Sequence, residues 1–157
     1  MKGFEPCLFD KLFPDAKRAD HVLKRLSAEE LKEVVARDIE ALLNTRMVFT
    51  EEMLVKYIEC QRSILTYGVL DFSGRSLASF DDRVFICKSL ERAIVRHEPR
   101  LTDISVKLGV DVRSTSMICF SISATLDVGE AHESVVFDAT LKPSTLQYSV
   151  RKGRNRG

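Results

Sequence analysis

One stretch, residues 80–101, divides the chain into two parts with different hydrophobic periodicities. Apolar residues recur in it at helical spacing and form a stripe suited to a core: Ile86, Cys87, Leu90, Ala93, Ile94 and His97. Pro99 has no N–H and disfavours the α conformation at the preceding residue, so the helix should end at His97 or Glu98. The residues before this stretch have mainly helical patterns, and those after it alternate as in strands.

The first helical pattern begins at a capping box formed by Ser27 and Glu30. Its apolar positions follow at three- and four-residue spacing: Leu31, Val34, Val35, Ile39 and Leu42. Asn44 and Thr45 should end this helix, which places Arg46 near its carbonyl end or near a carboxylate.

Two further helix starts are indicated upstream of residue 80. Thr50 is a candidate N-cap for a second helix with Leu54, Tyr57 and Ile58 on its apolar side. Residues 67–74 mix turn formers with large apolar groups and should form a loop held by its own side chains. Ser79 then provides the N-cap of the helix in residues 80–101.

Beyond Leu101 the hydrophobic period changes to two, which is typical of half-buried strands. Four such segments follow, with apolar residues near 104–112, 118–126, 135–141 and 146–150. Short turns between consecutive strands favour an antiparallel meander. We therefore expect an α+β fold in which N-terminal helices pack on one face of a C-terminal antiparallel sheet of about four strands. Either the first or the last strand could be an open edge.

With 157 residues the chain is long enough to form one domain with a single hydrophobic core. Two terminal segments flank this domain. We assign residues 1–26 to an N-terminal docking segment, 27–150 to the α+β domain and 151–157 to a basic, flexible tail. Leu8 and Phe9 lie in a short amphipathic turn that should dock either on its own domain or on a partner.

Composition excludes several classes of function. The formal net charge is +1, which provides no field to attract nucleic acid or a membrane surface. The four cysteines form no C-x-x-C pair and have no histidine at zinc-site spacing, so we expect neither a metal nor a disulfide framework. No apolar run is long enough to span a bilayer, and we expect a cytoplasmic protein.

The sequence contains no convincing set of catalytic residues. The sequence has no phosphate-binding glycine loop, zinc-protease motif or nucleophile elbow. Glu98 is the best candidate acid, but Arg100 two residues later favours its ionised form, whereas a general acid must stay protonated. Ion pairing or a charged docking point suits this corner better. His97 lies on the apolar stripe and indicates a core or interface histidine.

Several short motifs, taken in order, resemble TssE, the baseplate subunit of bacterial type VI secretion systems and a relative of small phage baseplate wedge proteins historically labelled lysozyme-like. The resemblance runs from about Leu8 to Val150 and rests on residues 8–12, 42–46, 67–72, 98–101 and 136–139. The sequence departs from the family pattern in two places: His97 stands where Phe is common, and Val69-Leu70-Asp71 replaces the usual Leu-Pro-Asp after the Tyr-Gly pair.

The resemblance implies a structural, non-enzymatic protein that needs no cofactor or small-molecule substrate. It implies TssF, TssG and TssK as baseplate partners and a template role for the TssB/TssC sheath, in the cytoplasm at a baseplate docked on the inner-membrane complex. The family contact motif corresponds here to Glu98, Pro99 and Arg100, and Leu8, Phe9 and Arg46 are further candidate partner contacts. The alternatives are a peptidoglycan-cleaving lysozyme-like enzyme and a binding module that uses its basic tail.

Overall fold

Two α-helices precede a four-stranded antiparallel sheet in the computed structural model, which describes residues 4–5, 26–50, 52–76, 79–109, 117–129 and 131–153. The helices are α1 (Ala28–Asn44) and α2 (Phe80–His97). The strands are β1 (Leu101–Gly109), β2 (Ile118–Asp127), β3 (His132–Lys142) and β4 (Gln147–Lys152), in the spatial order β1-β2-β3-β4. The predicted α+β class and antiparallel meander are confirmed.

Helix α1 begins and ends as its sequence predicts. The Ser27 hydroxyl accepts from the N–H of Glu30 while the Glu30 carboxylate accepts from the N–H of Ser27, so the capping box is complete. Thr45 is extended and ends the helix. The apolar stripe of α1 is buried, and the helix packs against β4 and β3.

The core lies between the two helices and one face of the sheet. Helix α2 packs against β1, and its residues Ile86, Leu90, Ala93 and Ile94 are buried. Alternate residues of the central strands face these helices, and the largest fully buried side chains are Phe120 and Phe137. Burying one face of a sheet under helices in this way removes most of its apolar surface from water.

A bulge near the start of β1 changes which residues face the core. The β1–β2 register shifts between Thr102 and Ser105, and Asp103 has a positive φ of 50°. The extra residue allows both Leu101 and Val106 to be buried although five positions separate them. The strict alternation predicted for β1 therefore applies only after the bulge.

The prediction of a helix that begins at Thr50 is wrong. Turns and two short 3-10 segments, Ile58–Arg62 and Ile64–Thr66, occupy this region instead. Leu54 is buried, but Tyr57 and Ile58 are 62% and 72% exposed, so the expected apolar side has no core to pack against. An amphipathic helix without such packing is only marginally stable.

The boundary predicted for the basic tail also needs correction. Strand β4 continues through Arg151 and Lys152, and the N–H of Gly153 donates to the carbonyl of Val136 at 2.7 Å. Arg151 and Lys152 therefore pair with β3, although the sequence analysis placed them in the basic tail because of their charge. Residues 154–157, like the predicted docking turn at Leu8 and Phe9, lie outside the described residues.

Candidate functional site

The corner between α2 and β1 is built by backbone hydrogen bonds around Pro99. The N–H of Glu98 donates to the carbonyl of Ile94 at 2.8 Å and closes the helix, as the proline predicts. The N–H of Leu101 donates to the carbonyl of Glu98 at 3.2 Å, and that of Asp127 donates to the carbonyl of Arg100 at 2.9 Å. The corner is thereby attached to the end of β2 as well as to α2.

Glu98 and Arg100 form an ion pair that also includes Asp38 of α1. The guanidinium donates from Nε to Glu98 Oε1 at 2.6 Å and from Nη2 to Glu98 Oε2 at 2.5 Å. Nη2 also donates to Asp38 Oδ2 at 2.6 Å. The hydrogen bonds that Arg100 donates to Glu98 raise the pKa of Arg100, burial opposes this rise, and the hydrogen bond to Asp38 adds to it. The ion pairing predicted for this corner is confirmed.

Burial decides which atoms of the corner a partner can reach. Glu98 is only 4% exposed and its carboxylate is occupied by Arg100, whereas the Arg100 side chain is 32% exposed and Pro99 is exposed. Both oxygens of the Glu98 carboxylate accept hydrogen bonds from the Arg100 guanidinium. This geometry suits a charged surface point better than a proton donor.

An aromatic pair lies beside this ion pair. Tyr67 and His97 make an edge contact with ring centroids 5.3 Å apart, and His97 Nε2 lies 2.9 Å from the carbonyl oxygen of Thr66. Burial lowers the pKa of His97, although the hydrogen bond to Thr66 opposes this. Burial also raises the pKa of Tyr67, with a further contribution from the charges of Asp38 and Glu98. His97 is thus a packed, hydrogen-bonded residue, as its position on the apolar stripe indicates.

The Tyr67-Gly68 pair is held against the end of α1. The N–H of Val69 donates to the carbonyl of Thr45 at 2.9 Å, and the N–H of Met47 donates to that of Val69 at 3.0 Å. Gly68 has a φ of +118°, and a Cβ at this position would lie 2.5 Å from the carbonyl oxygen of Thr45. Only glycine permits this approach. The two separate motifs at residues 42–46 and 67–72 are therefore parts of one contact.

Arg46 lies elsewhere, at the junction of α1 and the β3–β4 turn. Its guanidinium donates to the carbonyl of Leu43 at 3.4 Å and to that of Leu146 at 3.1 Å, which confirms the predicted contact with the carbonyl end of α1. It lines an open cleft of about 570 Å³ together with Glu40, Asn44 and Tyr148. The structure therefore does not bring Arg46 together with the Glu98–Arg100 corner.

The roles of Asp38 and Asn44 were not predicted from the sequence. Asp38 is seven residues after Leu31 and four before Leu42, so it lies on the apolar side of α1. A carboxylate on that side indicates a positively charged partner nearby. The Asn44 amide donates to the carbonyl of Tyr148 and accepts from its N–H, both at 2.8 Å. A single asparagine at a helix end gives no sign of this long-range pairing.

Two features are absent from the part of the chain that the structure describes. It contains no group of three or more His, Cys, Asp or Glu residues arranged to hold a metal ion. None of its helices combines the length and apolar character needed to cross a bilayer.

Comparison with known proteins identifies one family. The family model for the baseplate wedge protein gp25 matches residues 29–131, which include nearly all of α1, the whole of α2, the Glu98–Arg100 corner, β1 and β2. No curated protein and no solved structure matches the chain.

Proposed function

The chain belongs to the baseplate wedge protein gp25 family, and on this premise we propose that it is the TssE-like baseplate subunit of a type VI secretion system. In this role it is a structural protein that joins TssF, TssG and TssK in the baseplate, on the cytoplasmic side of the inner-membrane complex. It also helps to start assembly of the TssB/TssC sheath. The family match over residues 29–131 is the observation that carries this proposal.

We assign the partner contact at the corner to Pro99 and to the exposed part of Arg100, with Glu98 as a positioning residue. Glu98 fixes the guanidinium through two hydrogen bonds and Asp38 fixes it through a third, so the side chain is already ordered before a partner binds. Ordering a long side chain in advance reduces the entropy lost on association. Leu8, Phe9 and Arg46 remain further proposed contacts, with Arg46 on a different part of the surface.

Exposed apolar side chains support a role inside a larger assembly. They are concentrated in residues 48–65, which we call the apolar segment: Val48, Phe49, Met53, Val55, Tyr57, Ile58, Ile64 and Leu65. Monomeric proteins rarely expose so many large apolar groups in one region, and such surfaces usually mark protein–protein contacts. The apolar segment therefore favours an assembly subunit. The lysozyme-like alternative would need an accessible proton donor, whereas Glu98 is buried and ion-paired.

Co-purification tests the proposal directly. Tagged protein should retain TssF and TssG when the three are produced together. The Arg100→Glu variant should lose this retention while remaining folded by circular dichroism, because it reverses the exposed charge of the corner. Lys107→Glu serves as a matched charge reversal, since Lys107 is exposed on the solvent face of β1, away from the corner. Failure of the unmodified protein to retain either partner would refute the proposal.

A further inference from the structure

The outward face of α2 carries a row of basic side chains. Lys88, Arg92 and Arg96 are four residues apart, so successive members lie about 6 Å apart along the helix axis. Lys88 and Arg92 are exposed, and the apolar side chain of Val95 is 59% exposed beside them. We call this surface the basic stripe; it consists of Lys88, Arg92, Val95 and Arg96.

Lys88 and Arg92 form no ion pair with any of the described residues. The two aspartates in the first turn of α2 are six or more residues away from both. Glu91 is closer, but its carboxylate is turned towards β1, where Oε2 accepts from the N–H of Val106 at 3.3 Å. The positive charge of these two exposed side chains is therefore directed towards solvent.

The helix itself gives no reason for this arrangement. The helix dipole favours cations in the last turn, where Arg96 lies. Lys88 and Arg92 are nine and five residues before the last residue of the helix, which is too far for this effect. Like charges four residues apart also repel each other and destabilise a helix. The stripe therefore lowers the stability of the unbound protein, and an acidic partner would remove the repulsion.

We propose that the basic stripe binds an acidic segment of a neighbouring baseplate subunit. This inference rests on the proposed function and names the chemistry of one partner. The segment carries two carboxylates about 6 Å apart, which pair with Lys88 and Arg92, and an apolar side chain that covers Val95. Carboxylates on successive turns of an amphipathic helix have this spacing.

The surroundings of the stripe favour a protein segment over a nucleic acid. Val95 lies within the stripe, and burying it requires an apolar group that a phosphate backbone lacks. The formal net charge is +1, whereas binding to a phosphate backbone usually requires a wider positive surface. The helix ends at His97, so the stripe leads directly to Pro99 and Arg100, and one partner can contact both the stripe and the corner.

Charge reversal within the stripe tests the proposal by co-purification. Tagged protein is produced with TssF and TssG, and the retained amounts are measured from about 0.1 M to about 0.5 M NaCl. Lys88→Glu and Arg92→Glu should each reduce retention roughly fivefold at the lowest salt concentration, because an attraction becomes a repulsion. This difference should shrink as the salt concentration rises. Lys107→Glu changes the net charge equally, on the face of β1 that the helices do not cover, and should leave retention unchanged.

Urea unfolding of the isolated variants separates binding from a role in folding. Each reversal replaces the repulsion between Lys88 and Arg92 with an attraction, so the urea midpoint should stay the same or rise. A structural role predicts that the midpoint and the retention fall together, and that result would overturn the inference. Salt-sensitive retention on double-stranded DNA that both reversals abolish would also overturn it, because the stripe would then bind phosphates.

The same samples separate this inference from the proposed function. If the unmodified protein retains TssF and TssG and both stripe variants retain them equally well, the acidic partner is refuted and the baseplate role stands. If the unmodified protein retains neither, both fall together.

Discussion

Replacing Gly68 by alanine should destabilise the protein far more than the same change at other glycines. Two separate effects act at this position: the backbone has a φ of +118°, and the new Cβ would lie 2.5 Å from the carbonyl oxygen of Thr45. The first effect alone costs on the order of 1–2 kcal/mol for a residue with a side chain. The second cannot be relieved by rotating a side chain, because the obstructing atom belongs to the backbone.

Relief of the contact requires the Tyr67-Gly68 loop to move away from the end of α1. That movement would weaken the hydrogen bonds from Val69 to Thr45 and from Met47 to Val69, each contributing about 1 kcal/mol. We therefore expect Gly68→Ala to lower the free energy of unfolding by about 3–4 kcal/mol. For a chain of this size the melting temperature should fall by roughly 10 °C.

Two other glycines separate the conformational effect from the steric one. Gly129 has a φ of +83°, but an added Cβ there would meet no atom outside its own chain neighbours within 4 Å, so Gly129→Ala should show only the conformational cost of about 1–2 kcal/mol. Gly74 has neither feature, and Gly74→Ala should be neutral or slightly stabilising. Urea unfolding followed by circular dichroism measures all three. If Gly68→Ala were no worse than Gly129→Ala, the close approach to Thr45 would be refuted.

Two further predictions concern the corner. Glu98→Gln combined with Arg100→Met should destabilise by about 1.5 kcal/mol less than the sum of the single changes, as expected for a partly exposed charge-assisted pair; strict additivity in urea unfolding would contradict the pairing. Burial lowers the pKa of His97 in the folded state. The neutral imidazole therefore contributes stability above the usual histidine pKa of about 6.5. This stability is lost as the pH falls from that value towards the lower pKa of the folded state. His97→Phe should therefore flatten the decline in stability from about pH 7 to pH 5, and an unchanged decline would exclude His97 as its source.

The parts of the fold that follow from local chemistry were predictable from the sequence. The capping box at Ser27, the end of α2 before Pro99 and the antiparallel strands each depend on neighbouring residues or on a simple period. The failed prediction at Thr50 shows the limit of such patterns. Three apolar residues at helical spacing do not form a helix when the domain buries only one of them, Leu54, and leaves Tyr57 and Ile58 exposed.

The candidate site was predictable only in part, because its hydrogen bonds join distant residues. Pairing of Glu98 with Arg100 is local and could be anticipated, but Asp38 approaches Arg100 across 62 positions of sequence. Asn44 and Tyr148 are 104 positions apart. Such contacts depend on how α1 lies on the sheet, which no short pattern specifies.

Sheath formation in living cells tests the central claim most directly. The gene for this subunit is deleted in its host and fluorescent TssB is followed by microscopy, with the unmodified gene or the Arg100→Glu variant supplied in trans. A baseplate subunit that starts sheath assembly predicts no extended sheaths in the deletion strain, restoration by the unmodified protein, and none by Arg100→Glu. Extended sheaths at normal frequency in the deletion strain would contradict it.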